Sequence, residues 1–209
     1  DTWQIIEELK ALFAQGVKCL HHRDFEQAIA PFDQVLQLDP NYTEAWNCRG
    51  LAFGHLKQYP ECIESFDRAI DIQPSNSQAL LNKGIALGEW GKHEEASANF
   101  DRMLLYYPHS YEAWEGKANS LAFIKKYTEA LNCYDRALEF NPDYYKAFAN
   151  RGNVLIEMGR FKAAMRSYDQ AIRIQPDDPD VLFNRGCGFM AWEKADEALD
   201  SFDRAIAIN

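Results

Sequence analysis

The sequence has no apolar stretch near the roughly 18 residues that a membrane-spanning helix needs. Its opening, DTWQIIEELKALF, lacks the basic segment and continuous apolar core of a secretory signal peptide. Basic residues are few, since 22 Lys and Arg stand against 32 Asp and Glu and give a formal net charge of −10. Because this charge repels phosphate, we expect neither nucleic acid nor membrane as a partner.

Cysteine is also sparse, with five residues and no CxxC pair, which argues against a disulfide framework or a structural zinc site. We therefore predict a reducing, cytoplasmic location, no metal and no cofactor. GxSxG, HExxH and a glycine-rich phosphate loop are missing, so we predict no catalytic residues and no enzyme activity. The alternative is a non-catalytic part of a larger enzyme. The chain does not begin with Met, and we expect a piece of a longer protein.

What the sequence does have is a period of 34 residues, which is typical of repeat proteins. Four kinds of residue keep this spacing along the chain. They are prolines (Pro40, Pro74, Pro108, Pro142, Pro176), aromatics (Phe32, Phe66, Phe100, Tyr134, Tyr168, Phe202), glycine or alanine (Gly16, Gly50, Gly84, Ala118, Gly152, Gly186) and a second small residue (Ala28, Cys62, Ala96, Ala130, Ala164, Ala198).

Each 34-residue unit has the pattern of two helices joined by a short turn. In the second unit, Trp46, Gly50 and Phe53 have helical spacing, and an apolar stripe follows in ECIESFDRAIDI. The proline ends the second helix, because it lacks a donor and disfavours helix in the residue before it. Small residues allow two helices to approach closely, so we expect Gly50 to face Cys62 or small residues of the Ala96 type on the second helix.

With this pattern of Trp, Gly, Phe, Ala and Pro, the chain resembles the tetratricopeptide repeat family. The resemblance implies an all-α fold, a right-handed α-solenoid (superhelix) of antiparallel helix pairs. It implies a single array over residues 1–209, with repeats at about 9–42, 43–76, 77–110, 111–144, 145–178 and a truncated 179–209.

In this family the first helices line a concave groove. The resemblance therefore implies a protein–protein interaction scaffold or adaptor that binds a peptide or helix of a partner in that groove. In the family's register, the predicted groove contacts are Asn47, Asn82, Glu115, Asn119, Phe123, Lys146, Asn150, Asn153 and Asn184. A row of asparagines can hold an extended peptide by its backbone, because an amide both donates and accepts. The alternative is that these amides pair with neighbouring helix groups or with water.

Some members of the family grip the C-terminal carboxylate of heat-shock chaperones with two Lys, two Asn and one Arg. Asn119 and Asn150 match the two Asn, but Glu115, Asp180 and Asn184 occupy the positions of the three cations. A carboxylate would meet repulsion there, so we expect a neutral or basic ligand segment.

Two further features have competing interpretations. A column of cations (Arg49, Lys83, Lys117, Arg151, Arg185) and a column of aspartates (Asp33, Asp67, Asp101, Asp135, Asp169, Asp203) form either a partner-binding stripe or, as we favour, interhelix ion pairs. The chain also ends without a polar capping helix. Phe202 and Ile206 are therefore predicted to be partly uncovered, and end-to-end self-association through them is the alternative function.

Overall fold

A computed structural model describes residues 2–208, without the side chain of Thr2, and divides the chain into two compact units, residues 1–107 and 108–209. The described residues form helices and no strand. Unit 1 contains α1 (Thr2–His21), α2 (Phe25–Leu38), α3 (Thr43–His55), α4 (Tyr59–Ile72), α5 (Ser77–Glu89) and α6 (His93–Tyr106). Unit 2 contains α7 (Tyr111–Phe123), α8 (Tyr127–Phe140), α9 (Tyr145–Glu157), α10 (Phe161–Ile174), α11 (Pro179–Ala191) and α12 (Ala195–Ile208).

Within each unit the helices form successive pairs, and each pair packs against the next. Every even-numbered helix from α2 to α10 ends two residues before one of the periodic prolines, as the sequence predicts. No helix among the described residues is long and apolar enough to cross a membrane. The fold is all-α and built from helix pairs.

The turn inside each pair contains one residue in the left-handed region. Gly91 and Gly159 have φ of 83° and 69°, which glycine adopts without strain. The equivalent position in the other four pairs holds a residue with a side chain, at φ between 58° and 63°: Arg23, Lys57, Lys125 and Glu193. A reversal between antiparallel helices is therefore built in the same way along the chain.

The nearest neighbours of the glycine column are the aromatic rings, and for Gly50 they are not Cys62, which we expected there. A Cβ built on Gly50 would lie 2.8 Å from the ring of Phe66. Cys62 lies instead beside Gly54, whose Cβ would be 3.3 Å from its sulfur. The same glycine–aromatic contact recurs between Gly16 and Phe32, Gly84 and Phe100, Gly152 and Tyr168, and Gly186 and Phe202. The flat aromatic ring fills the space that the missing side chain leaves.

The two charged columns form interhelix ion pairs, which confirms the interpretation that we favoured. Four pairs join an even-numbered helix to the first helix of the next pair: Arg49–Asp33, Lys83–Asp67, Arg151–Asp135 and Arg185–Asp169. In three of them the arginine also donates to a serine sixteen residues later, on the second helix of its own pair: Ser65, Ser167 and Ser201. One guanidinium thus links three helices.

Candidate functional site

Four of the predicted groove residues meet in unit 2. Asn119 and Phe123 project from α7, and Asn150 and Asn153 project from α9. Together with neighbouring side chains they line a groove of about 480 Å³, whose floor includes Tyr134 of α8. We call this the α7–α9 groove. A pocket with mostly apolar lining and a few convergent polar groups is a typical ligand site.

Hydrogen bonds between side chains join the three helices below the groove. The Tyr134 hydroxyl donates to Oδ1 of Asn119 at 2.5 Å, and Nδ2 of Asn119 donates to Oε1 of Glu115 at 2.6 Å. Nδ2 of Asn150 donates to Oε1 of Glu115 at 3.1 Å and to Oδ1 of Asn119 at 3.3 Å. Asn119 and Asn150 therefore partly follow the alternative interpretation, in which the amides pair with neighbouring helices.

Glu115 is the charged member of this network. Burial raises the pKa of its carboxyl group, and the hydrogen bonds from Asn119 and Asn150 and the positive charge of Lys146 offset only part of that effect. Both amides bind Oε1, and Oε2 accepts no hydrogen bond from the described residues. Glu115 thus keeps an acceptor for a donor that comes from outside.

A second tyrosine–asparagine pair lies one repeat further along. The Tyr168 hydroxyl donates to Oδ1 of Asn153 at 2.6 Å. Nδ2 of Asn153 donates to no group in the described part of the chain, and Asn153 lines the groove. Burial raises the pKa of both Tyr134 and Tyr168, so both hydroxyls stay protonated and remain donors. Each hydroxyl holds the carbonyl end of its amide and turns the NH₂ end away.

These tyrosines are site residues that our sequence reasoning missed. The signal is present: where the aromatic column holds Tyr134 and Tyr168, the residue fifteen positions earlier is Asn119 or Asn153. In the repeats with phenylalanine that earlier position holds Val17, Leu51, Ile85 or Cys187. A buried tyrosine hydroxyl needs a partner, which explains the association.

Tyr144 was also missed. It lies near Glu115, and burial, with the nearby carboxylate as a further cause, raises its pKa to about 12. Its ring makes an edge contact with Tyr111, with centroids 5.0 Å apart. We call the surface formed by the first helices α7 and α9 the first-helix face, and its end near Glu115 therefore combines a carboxylate with aromatic rings.

The other predicted residues are placed differently. Asn47 does not lie on the groove surface as predicted. It is only 5 % exposed, and its Nδ2 donates to Oδ1 of Asn76, the N-cap of α5. It cannot contact a ligand on the surface. Asn82 and Asn184 are half-buried and make no side-chain hydrogen bond within residues 2–208. Lys146 is exposed at the start of α9, and Phe123 is 71 % exposed at the end of α7.

Among the described residues, no three His, Cys, Asp or Glu side chains are grouped so that they could hold a metal ion. None of the five cysteines, which all lie among the described residues, forms a disulfide bond, and Cys62 and Cys133 are buried. Burial raises the pKa of Cys48 to about 11 and that of Cys62 to about 12, so neither thiol ionises near neutral pH.

At the far end of unit 2, Ile206 is 70 % exposed on α12. Phe202 is half-buried, and its ring centroid lies 5.5 Å from that of Phe183. Leu199 is 60 % exposed, although its counterpart Met165 on α10 is buried.

Solved structures show the same fold at low sequence identity. A tetratricopeptide repeat protein from Parabacteroides merdae matches with a TM-score of 0.86 and 16% identity, over 97% of this chain and 80% of that chain. PilW, a widely conserved type IV pilus biogenesis factor, matches with a TM-score of 0.82 and 23% identity, over 92% and 90%. YrrB, a TPR protein with an unusual peptide-binding site, matches with a TM-score of 0.63 and 18% identity, over 85% and 92%.

A comparison with curated proteins found no match. Family models do match: one described as "TPR repeat" covers residues 124–159 and 152–187, and two described as "Tetratricopeptide repeat" cover residues 43–76 and 65–96. These matches cover more than half of the sequence and agree with the helix pairs of the structure. The chain belongs to the tetratricopeptide repeat family.

Proposed function

We propose that this protein-interaction scaffold binds a neutral or basic, extended peptide segment of a partner protein in the α7–α9 groove. The main supporting observation is the hydrogen bond between Tyr168 and Asn153. The tyrosine hydroxyl occupies the amide oxygen of Asn153 and leaves the two N–H donors of that amide at the groove wall. An extended peptide has unpaired backbone carbonyls that such donors can bind. Members of this family are generally non-catalytic scaffolds, which agrees with the lack of a catalytic motif.

The two ends of the first-helix face favour different ligand side chains. Near Glu115, the available carboxylate oxygen favours an N–H donor or a cation and repels a carboxylate. In the groove itself, the exposed ring of Phe123 lies beside Val154 and offers a contact for an apolar side chain. The preferred segment therefore carries a donor or basic residue at one end and an apolar residue at the other.

Panning a random 12-residue peptide library against the chain tests this proposal. We expect enrichment of neutral and basic peptides that contain apolar residues, and we expect Phe123→Ser to weaken their binding. Asn153→Asp is a second, sharper variant: it keeps an acceptor for Tyr168 but replaces the two amide donors with a carboxylate oxygen. With a neutral peptide it should lose affinity while circular dichroism shows an unchanged thermal transition.

Leu199→Ser is the matched control, since Leu199 is also an exposed apolar residue of unit 2 but does not line the groove. Its affinity for the selected peptides should equal that of the wild type. If Phe123→Ser and Asn153→Asp both bind like the wild type, the ligand lies elsewhere and the proposal is wrong.

Self-association through the end of α12 is the second candidate. The favouring observation is the exposure of Leu199 and Ile206, at positions where α8 and α10 pack against a following helix. We rank it second because, in an end-to-end dimer, α1 of the second copy would pack against α12. At the position where Arg49, Lys83, Lys117, Arg151 and Arg185 stand in the later repeats, α1 carries Gln15. Asp203 would then have no cation to pair with.

Sedimentation velocity distinguishes the two candidates. Ile206→Glu should dissociate any end-to-end dimer, whereas Leu105→Glu, at an 82 % exposed residue of α6, should not. A chain that sediments as a monomer at all concentrations eliminates the second candidate and leaves the first untouched.

A further inference from the structure

A second groove lies on the other layer of unit 2, between α8 and α10. It has a volume of about 720 Å³, and Phe148 of α9, Leu138 of α8 and Ala163 of α10 form its apolar part. None of the residues that line the α7–α9 groove lines this one. We call it the α8–α10 groove.

At this groove, repeat 5 differs from repeats 2 and 4 in two side chains. In repeats 2 and 4 the position of Phe148 holds Trp46 or Trp114, and an arginine from the second helix, Arg68 or Arg136, lies 5.6 Å from the centre of that indole ring. In repeat 5 the tryptophan is replaced by the smaller Phe148 and the arginine by Gln170. These two smaller side chains leave open the space that an indole and a guanidinium fill in repeats 2 and 4.

The exposed side of α10, which forms one wall of the groove, is basic in a chain that is acidic overall. α10 and the residue before it carry Arg160, Lys162, Arg166 and Arg173. All four are exposed, and none forms an ion pair with a residue of the described chain. Arg160 and Arg166 line the α8–α10 groove directly, and they also line a smaller adjoining depression of about 400 Å³ that reaches Trp192.

The acids at the same groove are already neutralised. Asp135 pairs with Arg151 at 2.8 Å, and Asp169 pairs with Arg185 at 3.1 Å. Glu139 pairs with Arg136 on its own helix. The unpaired charge at this groove is therefore positive.

The fold itself does not require Lys162 and Arg166, whereas the position of Arg160 is also basic in the neighbouring repeats, as Lys126 and Lys194. One repeat later, on α12, the positions of Lys162 and Arg166 hold Asp196 and Asp200, and one repeat earlier, on α8, they hold Thr128 and Asn132. The same helix packing forms with acidic, neutral or basic residues at these positions. An unpaired basic cluster beside an open apolar groove thus needs another explanation than stability.

We propose that the α8–α10 groove is a second interaction surface, which binds an acidic segment of a partner protein with an apolar side chain. The apolar side chain packs on Phe148 and Leu138, and carboxylates of the segment pair with Arg160 and Arg166. Arginine suits this role because its planar fork binds a carboxylate through two parallel hydrogen bonds. The acidic residues of α12 disfavour nucleic acid as the occupant.

Fluorescence anisotropy on the full chain tests the proposal with three labelled 12-residue peptides: leucine alternating with glutamate, leucine alternating with lysine, and an all-glutamate peptide. The Leu–Glu peptide should bind best at physiological salt. The double variant Arg160→Glu/Arg166→Glu should weaken that binding by about tenfold or more, because it replaces two attractive pairs with repulsion. The control Lys18→Glu/Arg102→Glu makes the same change in net charge at two exposed cations of unit 1 that form no ion pair within residues 2–208, and it should bind like the wild type.

A third variant separates a shaped groove from simple charge attraction. Phe148→Trp/Gln170→Arg restores the residues of repeats 2 and 4, so it should fold, and it adds a positive charge while it fills the groove. We expect it to lose affinity for the Leu–Glu peptide. Three outcomes would each overturn the proposal. This variant binds the Leu–Glu peptide as tightly as the wild type or more tightly, the all-glutamate peptide binds the wild type as well as the Leu–Glu peptide does, or the charge-reversal variant and its control lose the same affinity.

Discussion

At the residue scale, single side chains determine how closely the helices of a pair approach. A Cβ on Gly84 would lie 2.5 Å from the ring of Phe100 and 2.9 Å from Nδ2 of Asn99, a distance at which something has to move. Asn99 is 8 % exposed and donates to the Leu80 carbonyl at 2.6 Å, so it has little room to move. The ring and the amide together exclude any side chain at Gly84.

We therefore predict that Gly84→Ala destabilises the protein by about 1–3 kcal/mol, the usual effect of overpacking a core. Gly88 lies one turn further along the same helix, and a Cβ there would meet nothing within 4 Å. Gly88→Ala should instead stabilise by about 0.5–1 kcal/mol, because alanine has the higher helix propensity. Urea denaturation measures both, and effects of the same sign would contradict the packing that we describe.

Glu115 gives a prediction about pH. Burial raises the pKa of its carboxyl group, so the folded chain binds this proton more tightly than the unfolded chain does. Above the folded-state pKa, the charged carboxylate therefore destabilises the folded chain relative to the unfolded chain. This destabilisation disappears once pH falls below the ordinary pKa of glutamate. Glu115→Gln keeps an acceptor for Asn119 and Asn150 without the charge.

We expect Glu115→Gln to be as stable as the wild type or more stable at pH 7, with the difference disappearing near pH 4. Thermal unfolding followed across this pH range measures it. In the same variant, basic peptides should lose affinity for the first-helix face and neutral peptides should not. A variant that is clearly less stable at pH 7 would contradict this prediction. It would show that the hydrogen bonds of the carboxylate stabilise the folded chain by more than its burial destabilises it.

At the element scale, the joint between successive pairs depends on which cation is used. Arg151 donates through Nε to Asp135 at 2.8 Å and through Nη1 to Ser167 at 2.8 Å, and Ser167 is 3 % exposed. Among the described residues, the side chain of Lys83 bonds only to Asp67. The residue sixteen positions later is Asn99, which bonds to a backbone carbonyl instead. A lysine has no second planar N–H group with which to reach the serine.

Arg151→Lys should therefore cost about 1 kcal/mol through the lost hydrogen bond to Ser167. Asp135→Asn removes only a pair whose carboxylate is 56 % exposed, and such exposed pairs contribute about 0–1 kcal/mol. Guanidinium denaturation would hide the charge effect by screening, so urea is the denaturant of choice. An Asp135→Asn effect larger than that of Arg151→Lys would mean that the ion pair, and not the serine contact, holds the joint.

At the scale of the whole molecule, the sequence predicted the repeating parts best. Prolines, glycines and aromatics at a fixed spacing each have one physical role in every repeat, so the helix pairs and the ion-pair columns could be derived from them. The groove was harder to derive, because side-chain length decides what reaches the surface. Asn47 and Ala149 share a position with Glu115 and Phe183; the two short side chains are buried, whereas Glu115 is half-buried and Phe183 is exposed.

The division into two units leads to the last prediction. The largest core cluster of unit 2 extends from Ala118 to Ala198 and lies wholly within residues 108–209, which contain three helix pairs. About three repeats suffice for a stable array of this kind, since stability comes from stacking neighbours.

Residues 108–209 expressed alone should therefore give a helical circular dichroism spectrum with a cooperative thermal transition. Because the α7–α9 groove is formed by this unit, the fragment should also bind the selected neutral peptides with the affinity of the full chain, as measured by fluorescence anisotropy. Phe123→Ser in the fragment should weaken that binding as it does in the full chain. A fragment that folds but does not bind would show that the groove needs residues from unit 1, and the proposed ligand site would have to be redrawn to include them.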